Sequence, residues 1–193
     1  MRIPPLAPTI EWGGLRLRGL RPEDAAGLLA YLSNPIVTEH TSIPPPSLEA
    51  VSGKIERCRR GYVEETSCTW ALAERASDEV IGTCGYTSWS TDHGWAELSY
   101  DLAPARWGAG LMSQAVAAAL RWAFDDAGFG RVHALVMTTN DRSTRLLERG
   151  RFTLEGTLRS YRIARGTPRD FRMYSLLRTE WEAASNGGVT TEG

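Results

Sequence analysis

Two glycines, Gly108 and Gly110, stand immediately before an apolar helical repeat, and no acidic residue occurs between Ala103 and Gln114. Glycine lets a backbone approach a ligand closely. The first turn of a helix offers unpaired N–H groups at the positive end of its dipole. The segment Trp107-Gly108-Ala109-Gly110-Leu111-Met112, continued by Ser113, therefore reads as a cradle for an anion of pyrophosphate type. The glycines alone are equally compatible with a plain helix-entry loop. No Gly-Lys-Ser/Thr follows, which excludes a kinase-type phosphate loop, and the cradle does not open the chain as a dinucleotide fingerprint does. Upstream lies a carboxylate, Glu97, three residues before Tyr100. Downstream, Asn140 opens a compact helical segment with Ser143 in its first turn. Each has a bland alternative: a surface glutamate alternating with an inward Leu98, and two helix-start capping residues.

Other reactive side chains fall into no such pattern. His40, His93 and His133 are too scattered for a metal site, so no metal is expected, and His133 on an apolar strand reads as a packed core residue. His93 and Trp89 flank a turn that a substrate could meet. Cys58, Cys68 and Cys84 are odd in number and lack metal-type spacing, as expected of reduced thiols in a cytoplasmic protein. Glu64 and Glu65 begin a possible acidic rim for a cationic substrate, or else end a solvated helix.

The elements that must position these residues alternate. Leu15 to Leu20 has the period of a half-buried strand. Arg21-Pro22-Glu23-Asp24 starts a helix running to about Ser33, before Asn34-Pro35. The turn-rich Ser42-Ile43-Pro44-Pro45-Pro46 connects it to a second helix from Ser47, as N-cap, to about Tyr62. Cys68–Glu74, Val80–Trp89 and Gly94–Leu102 form an antiparallel meander. Leu111, Ala115, Ala118 and Trp122 mark one face of a helix ending near Gly128. Val132–Met137 is a short strand, Asn140 to Gly150 a helix, and Phe152–Ile163 and Asp170–Leu177 two final strands around a turn at Ala164–Pro168. This order defines an α/β or α+β single domain.

The length of 193 residues suits one domain, and 42% hydrophobic with 23% charged residues is a globular profile. A formal charge of -1 supplies no field for nucleic acid or an anionic membrane. Met1 to Pro8 has prolines where a signal peptide needs an apolar run, and the chain is expected to be cytoplasmic without a membrane span. Glu182 to Gly193 is small and polar and is expected to fray.

The stretch from Ala96-Glu97-Leu98-Ser99-Tyr100-Asp101-Leu102 through Trp107-Gly108-Ala109-Gly110-Leu111-Met112-Ser113-Gln114-Ala115 resembles the acetyl-CoA motif of the GNAT superfamily of N-acetyltransferases. More narrowly, it is similar to the branch that includes the ribosomal-protein-alanine (Rim-type) N-acetyltransferases. Asn140-Asp141-Arg142-Ser143-Thr144-Arg145-Leu146-Leu147-Glu148-Arg149-Gly150-Arg151-Phe152 matches that branch's second signature, and Tyr161 to Trp181 fits its ending. The resemblance spans roughly Leu15 to Trp181. Trp107 and Met112 depart from the wider superfamily, which begins this loop with Gln or Arg and ends it in Gly or Ala; a tryptophan there is familiar in the Rim-type branch.

The resemblance implies one GNAT-like domain over residues 1–193, with an ordered core over about 10–182 and a flexible tail over 183–193. Its mixed, mostly antiparallel sheet of about seven strands splays around the acetyl-CoA site, with four main helices. It implies an acyltransferase that moves an acetyl group from acetyl-CoA to a primary amine by direct attack on the thioester. Glu97 is then the general base. Ser143 lies near the thioester sulfur as the group that stabilises or protonates the thiolate, because its helix lacks the tyrosine used in other branches; Tyr161 is a spare. Asn140 contacts the pantetheine arm, and Arg106, Arg142 and Arg145 are candidates for the phosphates. The backbone of Tyr100, Asp101 and Leu102 pairs with the pantetheine like an added strand, and one of its N–H groups can hold the oxyanion. The expected acceptor is a protein N-terminal amine, with a small-molecule amine as the alternative and a non-catalytic acyl-CoA-binding module as a third reading. A monomer or homodimer is expected.

Overall fold

The computed structural model describes residues 3, 7–40 and 46–186. The connector at Ser42–Pro45, most of the first eight residues and the tail beyond Asn186 lie outside the described residues. Strands β1 (Ile10–Trp12) and β2 (Leu15–Gly19) form a hairpin over Gly13-Gly14. Helices α1 (Ala25–Leu32), α2 (Pro35–Thr38) and α3 (Leu48–Val63) follow, the last capped by the Ser47 hydroxyl accepting from the Ala50 N–H. The meander is β3 (Cys68–Glu74), β4 (Val80–Ser90) and β5 (Trp95–Leu102). Then come α4 (Leu111–Arg121), β6 (Arg131–Met137), α5 (Asp141–Arg149), β7 (Thr153–Ala164), β8 (Thr167–Leu177) and α6 (Arg178–Asn186).

The sheet has eight strands in the order β1-β2-β3-β4-β5-β6-β8-β7, antiparallel except for β5 beside β6. The strand beyond the expected seven is β1, too short at three residues for its alternation to be legible. Strand β8 begins at Thr167 rather than Asp170, because Arg165 (φ 51°) and Gly166 (φ 74°) turn the chain in two residues. Positive φ at both turn positions matches the twist of the flanking strands. The C-terminal segment stays helical through Asn186, where fraying was expected from Glu182.

Both faces of the sheet are covered. On one, Leu28, Tyr31, Val51 and Ile55 of α1 and α3 pack on Ala71 and Val80. On the other, α4 and the turn after it bury Trp122 between Trp70 (centroids 5.1 Å, near-perpendicular) and Tyr86 (5.8 Å, stacked). Beyond Arg121 the helix widens to π geometry over Trp122–Ala127, with the Gly128 and Phe129 N–H groups both donating to the Ala123 carbonyl. At the far edge, Arg18 is 3% exposed and bonds Asp24 bidentately, 2.8 Å on each arm, while its Nε donates to Asp78. This network ties β2 to the turn between β3 and β4. Burial raises the thiols of Cys68 and Cys84, which keeps them protonated in the core.

Candidate active site

The parallel pair β5/β6 is bonded in register only at Trp95↔Arg131, Ala96↔Val132 and Glu97↔His133. Beyond Glu97 the strands part, and a cavity of about 890 Å³ occupies the fork. Leu98 to Leu102 line one side and Ala134 to Met137 the other, with the loop before α4 and the first turn of α5 at its floor.

The cradle is built from backbone. Gly108 (φ 84°) and Gly110 (φ 72°) occupy the left-handed region, and a Cβ at either would meet only open space. Trp107 closes the loop, its indole N–H donating to the Leu102 carbonyl at 2.9 Å. The first helical bond of α4 is from the Gln114 N–H to the Gly110 carbonyl, and no side chain among the described residues caps that N-terminus. The N–H groups of Leu111, Met112 and Ser113 therefore lack helical partners, and their residues line the cavity. The Met112 side chain is 6% exposed and belongs to the core. The Arg142 guanidinium stacks 3.7 Å above the Trp107 ring, forming a cationic wall over the loop. Arg106 also lines the cavity and is paired with Glu74 at 2.7 Å.

In α5, the Asn140 carboxamide oxygen caps the helix by accepting from the Ser143 N–H at 3.1 Å. Its amide NH₂ remains available to a ligand. The Ser143 hydroxyl lies next to the Tyr100 hydroxyl, which is buried and meets no partner in hydrogen-bond geometry among the described residues. Burial raises the Tyr100 pKa, and Ser143 offsets this only in part. The Asp101 side chain serves the opposite face. It accepts from the Thr83 N–H (3.0 Å), the Thr83 hydroxyl (2.9 Å) and the Tyr31 hydroxyl, and it pairs with Lys54 at 3.5 Å. Burial, then the neighbouring Asp101 charge, raises Tyr31 well above its ordinary value. Asp101 thus braces β5 against α1, α3 and β4.

Glu97 sits at the crotch of the fork. It accepts from Arg162 Nη2 at 3.3 Å, and its second oxygen is 4.0 Å from His133 Nε2. His133, expected as a packed core residue from its apolar strand, is largely but not fully buried, with its Nε2 facing Glu97. Its ring packs against Trp95 (5.2 Å), and burial lowers its pKa against the opposing pull of Glu97, which keeps the imidazole neutral. The remaining end of the cavity is formed by Ile36, Val37, His40, Thr87, Arg162 and Phe171. His40 Nδ1 and the Thr139 hydroxyl, 3.3 Å apart, link α2 to the loop before α5.

Of the residues read from the sequence, Glu97, Tyr100, Asp101, Leu102, Trp107, Gly108, Gly110, Leu111, Met112, Ser113, Asn140, Arg142 and Ser143 surround this one cavity. Ala109 and Arg145 lie outside its lining, and Arg149 lies within it. Glu64 and Glu65 are also remote from it: Glu64 pairs with Arg60, and the Glu65 carbonyl accepts from Trp89. Arg162 and Phe171 were missed, and His133 was read without its place beside Glu97, because only strand register brings them here. No local motif marks them.

A splayed parallel pair over an uncapped helix N-terminus, with a carboxylate and a hydroxyl beside the fork, is an arrangement suited to group transfer from a phosphate-bearing donor. Residues 14–153 match the family model for the acetyltransferase (GNAT) domain. The chain belongs to that family and is an N-acetyltransferase. YoaA of Bacillus subtilis, an uncharacterized N-acetyltransferase, is 32% identical over 172 residues, covering 89% of this chain and 97% of the relative. A probable GNAT-family acetyltransferase from Chromobacterium violaceum superimposes with a TM-score of 0.83 at 24% identity, covering 95% and 93%. RimL, the ribosomal L7/L12 alpha-N-protein acetyltransferase in complex with coenzyme A, gives 0.81 at 19% identity, covering 88% and 98%. These two likenesses are of fold.

Proposed function

We propose that this enzyme transfers the acetyl group of acetyl-CoA to a protein N-terminal amine, with Glu97 as base and Ser143 at the departing thiolate. One observation carries the reading: Glu97, Ser143 and the uncapped α4 N-terminus line the same cavity at the fork of β5 and β6. The free N–H groups of Leu111 to Ser113 and the Arg142 wall suit a pyrophosphate. The parted edge of β5 from Tyr100 to Leu102 offers backbone groups to an extended amide-bearing arm. Acetyl-CoA has both features, and the open space at Gly108 and Gly110 leaves room for the close approach.

Acetyl-CoA supplies the activated acyl group. The chain's own part is to move protons and hold charge. An α-amino group has a pKa of about 7.7–8.0, so only about a tenth to a sixth is neutral near pH 7, and the base removes the proton released as the new bond forms. Glu97 lines the cavity for that task, and neutral His133 beside it can take the proton onward. Ser143, adjacent to the buried Tyr100 hydroxyl, is placed to donate to sulfur. The fold likeness to RimL supports a protein N-terminus as acceptor.

Turnover on a panel of N-terminal peptides and small amines, followed by release of free thiol, tests the reading. Glu97→Gln is expected to lower kcat/KM by about 10²–10⁴-fold, the usual share of a positioned base, and Ser143→Ala to lower it by less. Wild-type turnover in both variants overturns the catalytic roles. Turnover confined to small amines overturns the acceptor.

A further inference from the structure

Residues 157–172 hold five arginines, Arg159, Arg162, Arg165, Arg169 and Arg172, and a single acid, Asp170, in a chain whose net charge is -1. That acid is occupied: Asp170 Oδ1 accepts from the Ser160 N–H at 2.7 Å. Arg172 bonds Thr144 and Arg165 bonds Thr38, whereas Arg159 and Arg169 have no carboxylate partner among the described residues. The β7/β8 register sets Arg162 directly opposite Arg169. Like charges facing across a strand pair destabilise it unless a counter-charge lies between them.

Local geometry brings one of these arginines to the site. Register slips between Leu158 and Arg162, and Ser160 takes φ 51° within that bulge. Bulges re-aim the side chains that follow them. Here Arg162 lies 5.3 Å from the Tyr161 ring and 5.6 Å from the Phe171 ring, and it lines the cavity beside Glu97. Its side chain is 41% exposed, and only Nη2 meets Glu97. The other guanidinium donors are free to take a second anion in fork geometry. Among the described residues, no uncommitted carboxylate lines this end to receive an additional cation. Glu97 is bound to Arg162, and Asp101 is bound to Lys54.

Resting on the reading of this cavity as the acetyl-acceptor site, we propose that the acceptor is an anionic amine: an amine with a carboxylate close by, held by Arg162 with Arg169 behind it. Arg162 then bridges the acceptor's carboxylate and Glu97, which brings the amine to its base. A polycationic amine would place its second charge against the same guanidinium. The carboxylate can belong to an acidic residue near a protein N-terminus or to a small amino acid.

The test uses the full-length protein with acetyl-CoA. The acceptors are three peptides differing only at positions two and three (Asp-Asp, Ser-Ser or Lys-Lys), together with free glutamate and spermidine. Wild type is expected to favour the acidic over the basic peptide by at least about tenfold in kcat/KM, as charge-assisted bonds do. Arg162→Glu should reverse the order, Arg162→Lys should keep it in weakened form, and CoA affinity by calorimetry should stay the same in both. KM for the acidic peptide alone should rise with salt. Turnover of glutamate but of no peptide supports the anionic-amine inference and overturns the protein-acceptor reading. A preference for the basic peptide or spermidine, equal use of all acceptors, or an order unchanged by Arg162→Glu overturns the inference while leaving the acetyltransferase reading intact. If nothing is turned over, binding of the peptides to the CoA-loaded protein decides. Acidic binding lost in Arg162→Glu supports the inference, and its absence in wild type overturns it.

Discussion

The two sides of the fork, which we read as a cofactor side and an acceptor side, are built differently. The cofactor side is nearly continuous in sequence, from Glu97 to Ser113 with the start of α5, and it works through backbone: two left-handed glycines, an uncapped helix N-terminus and a parted strand edge. The acceptor side is assembled from α2, β4, β7 and β8, and works through side chains whose positions depend on a bulge and on register. The first is a device that any chain with the right local residues folds into. The second is specific to how this chain pairs its last two strands, which is where one acetyltransferase can differ from another in its acceptor.

That contrast explains what could be read in advance. Cys68–Glu74 and the helix opening at Ser47 were legible to the residue because period and capping are local physics. The glycine loop and helix start of α4 were legible for the same reason, whereas what that loop holds was read only from the resemblance. Arg162 and His133 were not: nothing in Arg162's neighbourhood in sequence announces Glu97, and the Glu97↔His133 register exists only once β5 and β6 lie parallel. Asp101 falls between the two cases. It sits inside the motif, yet its carboxylate braces the scaffold, because alternation along β5 turns it away from Tyr100 and Ser143.

The largest effect is expected at Gly110. A Cβ there meets no protein atom within 4 Å, but an aspartate adopts a strained φ and sets a negative charge at the α4 N-terminus. CoA binding measured by calorimetry is expected to weaken at least about hundredfold, the combined cost of strain and charge, with little change in the far-ultraviolet circular dichroism. Unchanged binding would remove the cradle from the cofactor side altogether.

A smaller effect sharpens the role of the brace. Asp101→Ala leaves the Tyr31 and Thr83 hydroxyls and Lys54 without their shared acceptor. The cost is about 3 kcal/mol, as for a partly buried hydrogen-bonded charge, or a fall of about 6–12 °C in Tm for a chain of this size. CoA affinity should fall only a few-fold, by loss of order in β5. A hundredfold loss of affinity with Tm unchanged would instead make Asp101 a direct ligand.

The smallest effect separates the two sides by pH. Glu155 on β7 receives both arms of Arg131 on β6, at 2.6 Å each, and the Ser175 hydroxyl at 2.7 Å. The Arg131 bonds, opposed by desolvation and aided by Ser175, lower its pKa from 4.5 to about 2. A carboxylate lowered on folding stabilises the protein above its unfolded pKa, and that contribution disappears as pH falls through the folded value. The bridge joining the hairpin to β6 should therefore weaken between about pH 4.5 and about pH 2. The pair is partly exposed, so Glu155→Gln should lower Tm at pH 7 by only about 1–3 °C, and the gap to wild type should close across that window. Amide exchange read residue by residue locates the loss: β7 and β8 should open before the first turn of α4. Equal loosening of both would mean that the acceptor side is no less autonomous than the cradle.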